Sequence, residues 1–270
     1  MNFITSLNIE LFEKYGYRFF ETFEKYSKSD CVLIVVFEGD GIEKIDKTGY
    51  TKIVFVPFIS KSHEKFIKYF GNLYEAKGYK ILENNTLYLG KQFKIIQDFR
   101  FNAVRFSFKI FSLLIAKNLL KCGPNFAWID ADIVCQKEFS QSDLLAFMPD
   151  NSELMSYLGR TKFPTPNPYS ECGFLGFNGN HPKLNEFLNK MELIYTSGEI
   201  FSHKEWHDCW LWDHLRKEYE SVGILFKNIS SEFQDTNHPF VNSGLGEFFD
   251  HLKGPLRKEL GKSFDEDYKQ

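Results

Sequence analysis

Two aspartates one residue apart, Asp130 and Asp132, close the apolar run FAWIDADIV at residues 126–134. Alternate residues of an extended chain point the same way, so both carboxylates are expected on one side, with small Ala131 between them. Paired carboxylates repel each other and favour a divalent cation. Their hard oxygens suit Mg²⁺ or Mn²⁺, which keeps open positions for phosphate oxygens. A strand-end turn or a helix cap is the competing reading of so short a motif. Near the other end, DHLKGPLRK at 250–258 gathers His251, Lys253, Gly254, Arg257 and Lys258. Imidazole is an acceptable third ligand for Mn²⁺. Gly254 lets backbone come close to an anion, and the cations can neutralise phosphates. Ordinary surface charge in a loop is the alternative for any one of these lysines.

Three further constellations carry candidate chemistry. Arg105 and Lys109 are four apart in an apolar helical pattern, so they share a face. Two like charges there call for an anion, either a diphosphate or Asp130; the alternative is snorkelling at the helix flank. His207 and Asp208 open the helical segment EWHDCWLWDHL. Asp208 suits the positive end of a helix dipole, or faces a substrate hydroxyl as base or positioner. Asp213 and His214 are expected at the surface. Glu171, at a polar-to-apolar switch, is placed to accept bonds from a hydroxyl-rich ligand, or merely to solvate a strand edge.

Composition narrows the classes. The chain has 270 residues, 43% hydrophobic, with 30 Phe among its many rings, enough for a sizeable core in which Phe replaces much of the usual Leu. The net charge of −3 is spread out, with no basic block, so no nucleic-acid partner is expected. No apolar run reaches the roughly 20 residues of a membrane span. The first twenty residues lack the basic and apolar parts of a signal peptide. The five cysteines are scattered without a Cys-x-x-Cys pair, which speaks against a zinc site or a disulfide framework and for small hydrophobes. The expectation is an intracellular protein of the cytoplasm, its own cell's or a host's.

The elements that must position these groups follow from periodicity. A short strand at 3–6 precedes a helix reaching 26, with Ser6 or Asn8 as its cap. CVLIVVF at 31–37 reads as a strand buried on both faces. A strand at 53–58, a helix at 60–76 and a long helix at 99–120 follow, the last stopped by Gly123-Pro124. Residues 79–98 carry only weak strand signals, near Ile81 and Leu87. The strand at 126–129 delivers Asp130. The proline-rich 162–171 reads as a loop, 172–178 as a strand, 182–195 and 206–219 as helices, and 222–226 as a last strand. Strands alternating with helices argue an α/β fold around a mostly parallel sheet, with ligands beyond the carboxyl ends of the strands. Residues 1–262 read as one domain, and 263–270 as a polar, frayed tail.

An apolar strand, Asp-x-Asp, and a later His-x-x-Gly-x-x-basic segment together resemble glycosyltransferases of the A-type fold, especially glycogenin-like and bacterial galactosyltransferase-like enzymes. The resemblance in element order runs from about residue 2 to 258. It implies a single Rossmann-like domain that moves a hexose from a nucleotide-diphosphate sugar, a UDP-sugar foremost, to a carbohydrate or other hydroxyl acceptor. It implies Mn²⁺ or Mg²⁺ on Asp130, Asp132 and His251. FITSLN, with Ser6, resembles the strand and turn that contact the nucleotide. Arg105, Lys109, Asp130, Lys253, Gly254 and Arg257 fall where the family binds donor, and Asp208 and Glu171 are the candidate catalytic carboxylates. The family's Pro-Trp after the basic residue is replaced by Lys258-Glu259, and its Gln-Asp pair by His207-Asp208. A haloacid-dehalogenase-type phosphatase would need Asp-x-Asp after its first strand. A sugar-phosphate nucleotidyltransferase would want a Gly-rich basic loop near the start, which ITSLNIELFEKYG lacks. A binding module without catalysis would leave the acidic pair far from His251.

Overall fold

CVLIVVF does form a strand buried on both sides. In β2 (Val32–Phe37), Ile34 and Val36 enter one core, while Leu33, Val35 and Phe37 enter another. This explains why the run is apolar without alternation. In this computed structural model the described residues are 1–86, 90–120, 125–160, 169–230 and 238–268; for 81–86 and 90–94 the description is of the backbone. The Gly123-Pro124 stop, the Leu87 signal and residues 162–168 of the expected loop lie outside them.

The other strands of the main sheet are β1 (Asn2–Leu7), β3 (Ile53–Pro57), β6 (Phe126–Ile129), β8 (Glu153–Leu158), β9 (Glu171–Phe177) and β10 (Leu225–Asn228). Their order is β10-β8-β9-β6-β1-β2-β3. Pairings are parallel except at β9, which runs antiparallel to both β6 and β8. Two ribbons stand apart: β4 (Tyr79–Thr86) with β5 (Gly90–Gln97), and β7 (Ile133–Cys135) with β11 (Phe249–His251). The expected mostly parallel sheet is thus present. The sequence reading did not include β7, β8 or β11.

Helices cover both faces of the sheet. Helix α1 (Ile9–Leu11) continues through a π turn, Phe12–Gly16, into α2 (Tyr17–Tyr26), and its cap is Asn8, whose side chain accepts from Leu11 N. Helix α3 (Lys61–Phe70) ends sooner than expected, at Gly71. Helix α4 (Ala103–Leu119) is the long apolar one, capped by Asn102. Short α5 (Gln141–Leu144) is followed by α6 (Leu184–Thr196), α7 (Asp208–Ser221), α8 (Pro239–Asn242) and α9 (Gly254–Leu260). Residues of α3, α4, α6 and α7 build one core. Residues of α2, α5, α8 and both strands of the β7–β11 ribbon build the other, where Phe3, Phe23, Phe139 and Phe249 meet edge to face.

Topology places a candidate crevice. The chain runs outward through β1, β2 and β3, then returns to lay β6 on the free side of β1. Such a reversal leaves a crevice beyond the carboxyl ends of the two diverging strands, where open α/β sheets bind ligands. Ser6 lies near the end of β1, Asn8 just beyond it, and Asp130 follows β6. The expected polar tail makes contacts back to the domain at Ser263 and Asp267. Ser263 gives its N–H and hydroxyl to Asp250 at 2.7 and 2.5 Å, and Arg257 grips Asp267. No described helix is long and apolar enough to cross a membrane.

Candidate functional site

Asp130 and Asp132 are brought together by a turn rather than by strand alternation, since residues 131 and 132 bend before β7 begins. Asp130 N–H donates to the Gly173 carbonyl of β9 at 3.0 Å. The Asp132 carbonyl accepts from Leu252 N–H at 2.9 Å. The β7–β11 ribbon then fixes the third group, because its register sets His251 opposite Ile133, next to Asp132. One ligating atom from each of Asp130, Asp132 and His251 falls within 4.8 Å of the others. The imidazole Nε2 is 3.3 Å from Asp132 Oδ1 and 3.8 Å from Asp130 Oδ2.

Glu171, the first residue of β9, explains how that imidazole is aimed. Its Oε1 meets His251 Nδ1 at 2.8 Å, leaving Nε2 for the aspartates. A carboxylate behind a ligating histidine fixes its orientation and raises its basicity. Glu171 is 3% exposed and also faces Lys253 at 2.7 Å and Arg160 at 3.4 Å. Burial alone would raise its pKa; Lys253, His238 and His251 reverse this and hold it well below the usual range. Glu171, expected as a catalytic base or as an acceptor for a hydroxyl-rich ligand, lines the larger cleft with its oxygens facing His251, Lys253 and Arg160. Burial likewise opposes charge on Asp132 and His251. Their mutual attraction wins, with Lys258 aiding Asp132, so the carboxyl is held low and the imidazole is raised to about 9.

The cations are distributed more selectively than the sequence suggested. Lys109 is buried and reaches three acceptors: Asp208 Oδ2 at 2.8 Å, Asp130 Oδ1 at 3.1 Å and the Cys172 carbonyl at 2.5 Å. Burial disfavours its charge, but Asp130 and Asp208 more than compensate, and its pKa rises. Asp130 Oδ1 also accepts from Trp128 Nε1 at 2.6 Å. Arg105 lies on the wall of the crevice, exposed. Arg257 is not brought to the site, because its guanidinium holds Asp267 from 2.5 Å. Lys258, one residue further round α9, takes the place expected for Arg257, with its ammonium 2.6 Å from Asp132 Oδ2 and 4.6 Å from the centre of the Tyr15 ring. Gly254, at φ +80°, has the left-handed backbone that favours glycine. Asp208 is the first residue of α7, after the cap His207, and is buried against Lys109. Asp213 is also buried, contrary to expectation, since it accepts from Ser170 N–H and hydroxyl and from Arg216.

Two adjoining clefts surround the triad. One of about 770 Å³ is lined by Phe99, Arg105, Arg160, Asp208, His251 and Lys253 among others. A second of about 400 Å³ is lined by Ser6, Asn8, Tyr15, Glu38, Asp132 and Lys258 among others. Asp130, Arg105 and Lys258 line both. Burial pushes the Glu38 carboxyl up to about 7, against Ser6 and Arg105, which favour its charged form. Tyr15, Glu38 and Trp128 were not assigned to the site from sequence. Trp128 had a usable signal, since it stands two residues before Asp130.

No family model matches the chain, and no curated protein matches it. It is similar to several solved structures. Mouse xyloside xylosyltransferase 1, in its apo form, is 10% identical over 84% of this chain and 85% of that one, with a TM-score of 0.46. The galactosyltransferase LgtC, in complex with donor and acceptor sugar analogs, is 9% identical over 98% and 84%, with a TM-score of 0.45. The glycosyltransferase GlyE of Streptococcus pneumoniae TIGR4 is 9% identical over 86% of this chain but only 46% of that one, with a TM-score of 0.48.

Proposed function

We propose that residues 1–262 form a metal-dependent glycosyltransferase domain of the A-type fold, moving a hexose from a nucleotide-diphosphate sugar to an acceptor hydroxyl. The observation that carries this reading is the convergence of Asp130, Asp132 and His251 beside Arg105, Lys109 and Lys258, at the crevice where the sheet reverses.

The donor set fits Mn²⁺ or Mg²⁺. Two carboxylates offer hard oxygens, one imidazole is aimed by Glu171, and an ammonium, Lys258, already meets Asp132 where positive charge is wanted. When bound, the cation supplies Lewis acidity that offsets charge on a diphosphate leaving group. Arg105 and Lys258 add fixed positive charge facing the same place, which costs no reorganisation as charge develops. Ser6, Asn8, Tyr15 and Glu38 form a smaller cleft sized for the nucleoside, and the larger cleft takes the sugar and acceptor. Lys109 orients Asp130 and Asp208 together.

A general base works best with a pKa near the working pH. Glu171 is locked behind His251, and Asp208 is held below the usual range: burial opposes its charge, but Lys109 outweighs that. Glu38, whose carboxyl is pushed up to about 7, lines only the smaller cleft, away from the sugar in this reading, and the route we infer has the departing diphosphate take the acceptor proton, with retention at the anomeric carbon. Asp208 then acts as a positioner. The test is a thermal-shift panel of nucleotide sugars with and without Mn²⁺, UDP-hexoses first, followed by an assay for released nucleoside diphosphate. We expect a Mn²⁺-dependent shift that Asp132→Ala removes, and transfer with retained configuration. Shifts without transfer to any hydroxyl acceptor would leave a binding module instead; equal shifts in the variant would remove the metal site.

A further inference from the structure

We propose that Cys172, Cys209 and Asp208 form a second cation site in the larger cleft, one that takes a thiophilic divalent cation such as Zn²⁺. The two cysteines come from different elements, β9 and the first turn of α7. One ligating atom from each of the three residues lies within 4.8 Å of the others. All three line the larger cleft, so an ion has a path to them. Asp208 divides its two oxygens. Oδ2 faces Lys109, while Oδ1 faces Cys209 Sγ at 3.6 Å. A cation can therefore take Oδ1 without displacing Lys109 from Oδ2.

The chemistry of this set differs from that of the aspartate–histidine triad. Thiolates select zinc and other soft ions, whereas carboxylate oxygens suit Mg²⁺ and Mn²⁺. Three protein ligands would leave a zinc ion one position for water or a ligand. A thiol must lose its proton to ligate. A coordinated divalent cation deprotonates its thiol outright. The scattered spacing of the cysteines hid the pair, because 172 and 209 meet only when α7 packs on β9. The site stands on these residues alone and does not depend on glycosyl transfer.

The test is titration of the intact, phosphine-reduced protein with Cd²⁺, read by the ultraviolet thiolate-to-metal charge-transfer band, with Zn²⁺ as competitor. We expect a band saturating at one equivalent, displaced by Zn²⁺, and lost in both Cys172→Ser and Cys209→Ser. Cys31→Ser, in the opposite core, should keep it. Asp208→Asn should weaken binding by roughly tenfold or more, since even partners one shell beyond a metal cost about 10–100-fold. Absence of the band in the wild type, or its persistence in both cysteine variants, would overturn the site. If a cysteine variant does not fold, alkylation of the wild type decides. Zn²⁺ should slow modification of Cys209 at least tenfold, and an unchanged rate would sink the proposal.

Discussion

Replacing Gly173 by alanine is a sharp test of how the triad is built. A methyl group on residue 173 would sit 2.6 Å from His251 Cε1 and 2.7 Å from Nδ1. Ordinary carbon contacts lie at about 3.5–4.0 Å, so the ring must retreat on the order of 1 Å. It has little freedom to do so, because Glu171 holds Nδ1 and the Phe240 and His238 rings pack against it. Overpacking of this kind costs about 1–3 kcal/mol, and losing the charged hydrogen bond to Glu171 about 1.5–3 kcal/mol more. In a chain of this size each kcal/mol lowers Tm by about 2–4 °C. Metal ligands tolerate only about 0.2 Å, so Mn²⁺ affinity should fall roughly 100-fold. At a Mn²⁺ concentration about 100 times the wild-type Kd, stabilisation by the ion would drop from about 2.7 to about 0.4 kcal/mol. Differential scanning fluorimetry with and without Mn²⁺ and nucleoside diphosphate reads both effects. A Gly173→Ala protein with wild-type Tm and a wild-type Mn²⁺ shift would refute the claim that β9 sets the imidazole in place.

Three other substitutions separate roles that the geometry assigns. Glu171→Gln should destabilise the protein by about 3 kcal/mol or more in urea, because it strips a buried countercharge. If Glu171 only positions His251, saturating Mn²⁺ should restore kcat; a persistent loss would make it a base after all. Lys258→Met should weaken nucleoside-diphosphate binding roughly tenfold or more, the worth of a charged hydrogen bond, while Arg257→Met should leave that affinity unchanged in the same titration. His63 is buried among aromatic rings, with Nε2 on Ser107 at 2.9 Å, and burial lowers its pKa to about 4. A depressed histidine gives stability that is present above its unfolded value near 6.5 and lost as pH falls toward 4, here about 3 kcal/mol. Urea melts from pH 7 to 4 should show this slope in the wild type and not in His63→Gln.

Much of this arrangement was legible because it is local or strongly periodic. β2 reads as a two-faced buried strand from seven consecutive residues, and α4 from a long apolar pattern that also carries Lys109. What escaped depends on partners distant in sequence. β7 and β11 have three residues each, too few for any periodicity, and exist because they pair with each other. β8, ELMSYL, is buried along nearly its whole length yet mixes Glu and Ser with its apolar residues. Glu171 looked like a free carboxylate at a strand edge; nothing near it in sequence announces Lys253 or His251. The choice between Arg257 and Lys258 turned on which way a single helical turn faces, and Asp267 decided it by drawing Arg257 away.

The β7–β11 ribbon also orders events in time. At about 5–20 residues per second, the about 120 residues between Asp132 and His251 take roughly 6–24 s to make. During that interval β7 has no pairing strand, and its open edge is a template for the wrong neighbour. The two aspartates are by then in the nascent chain, without their imidazole. The triad of Asp130, Asp132 and His251 is therefore among the last parts of the fold to be completed. A chain cut short before residue 249 would keep β1, β2, β3 and β6 but have no ribbon and no imidazole beside the two aspartates.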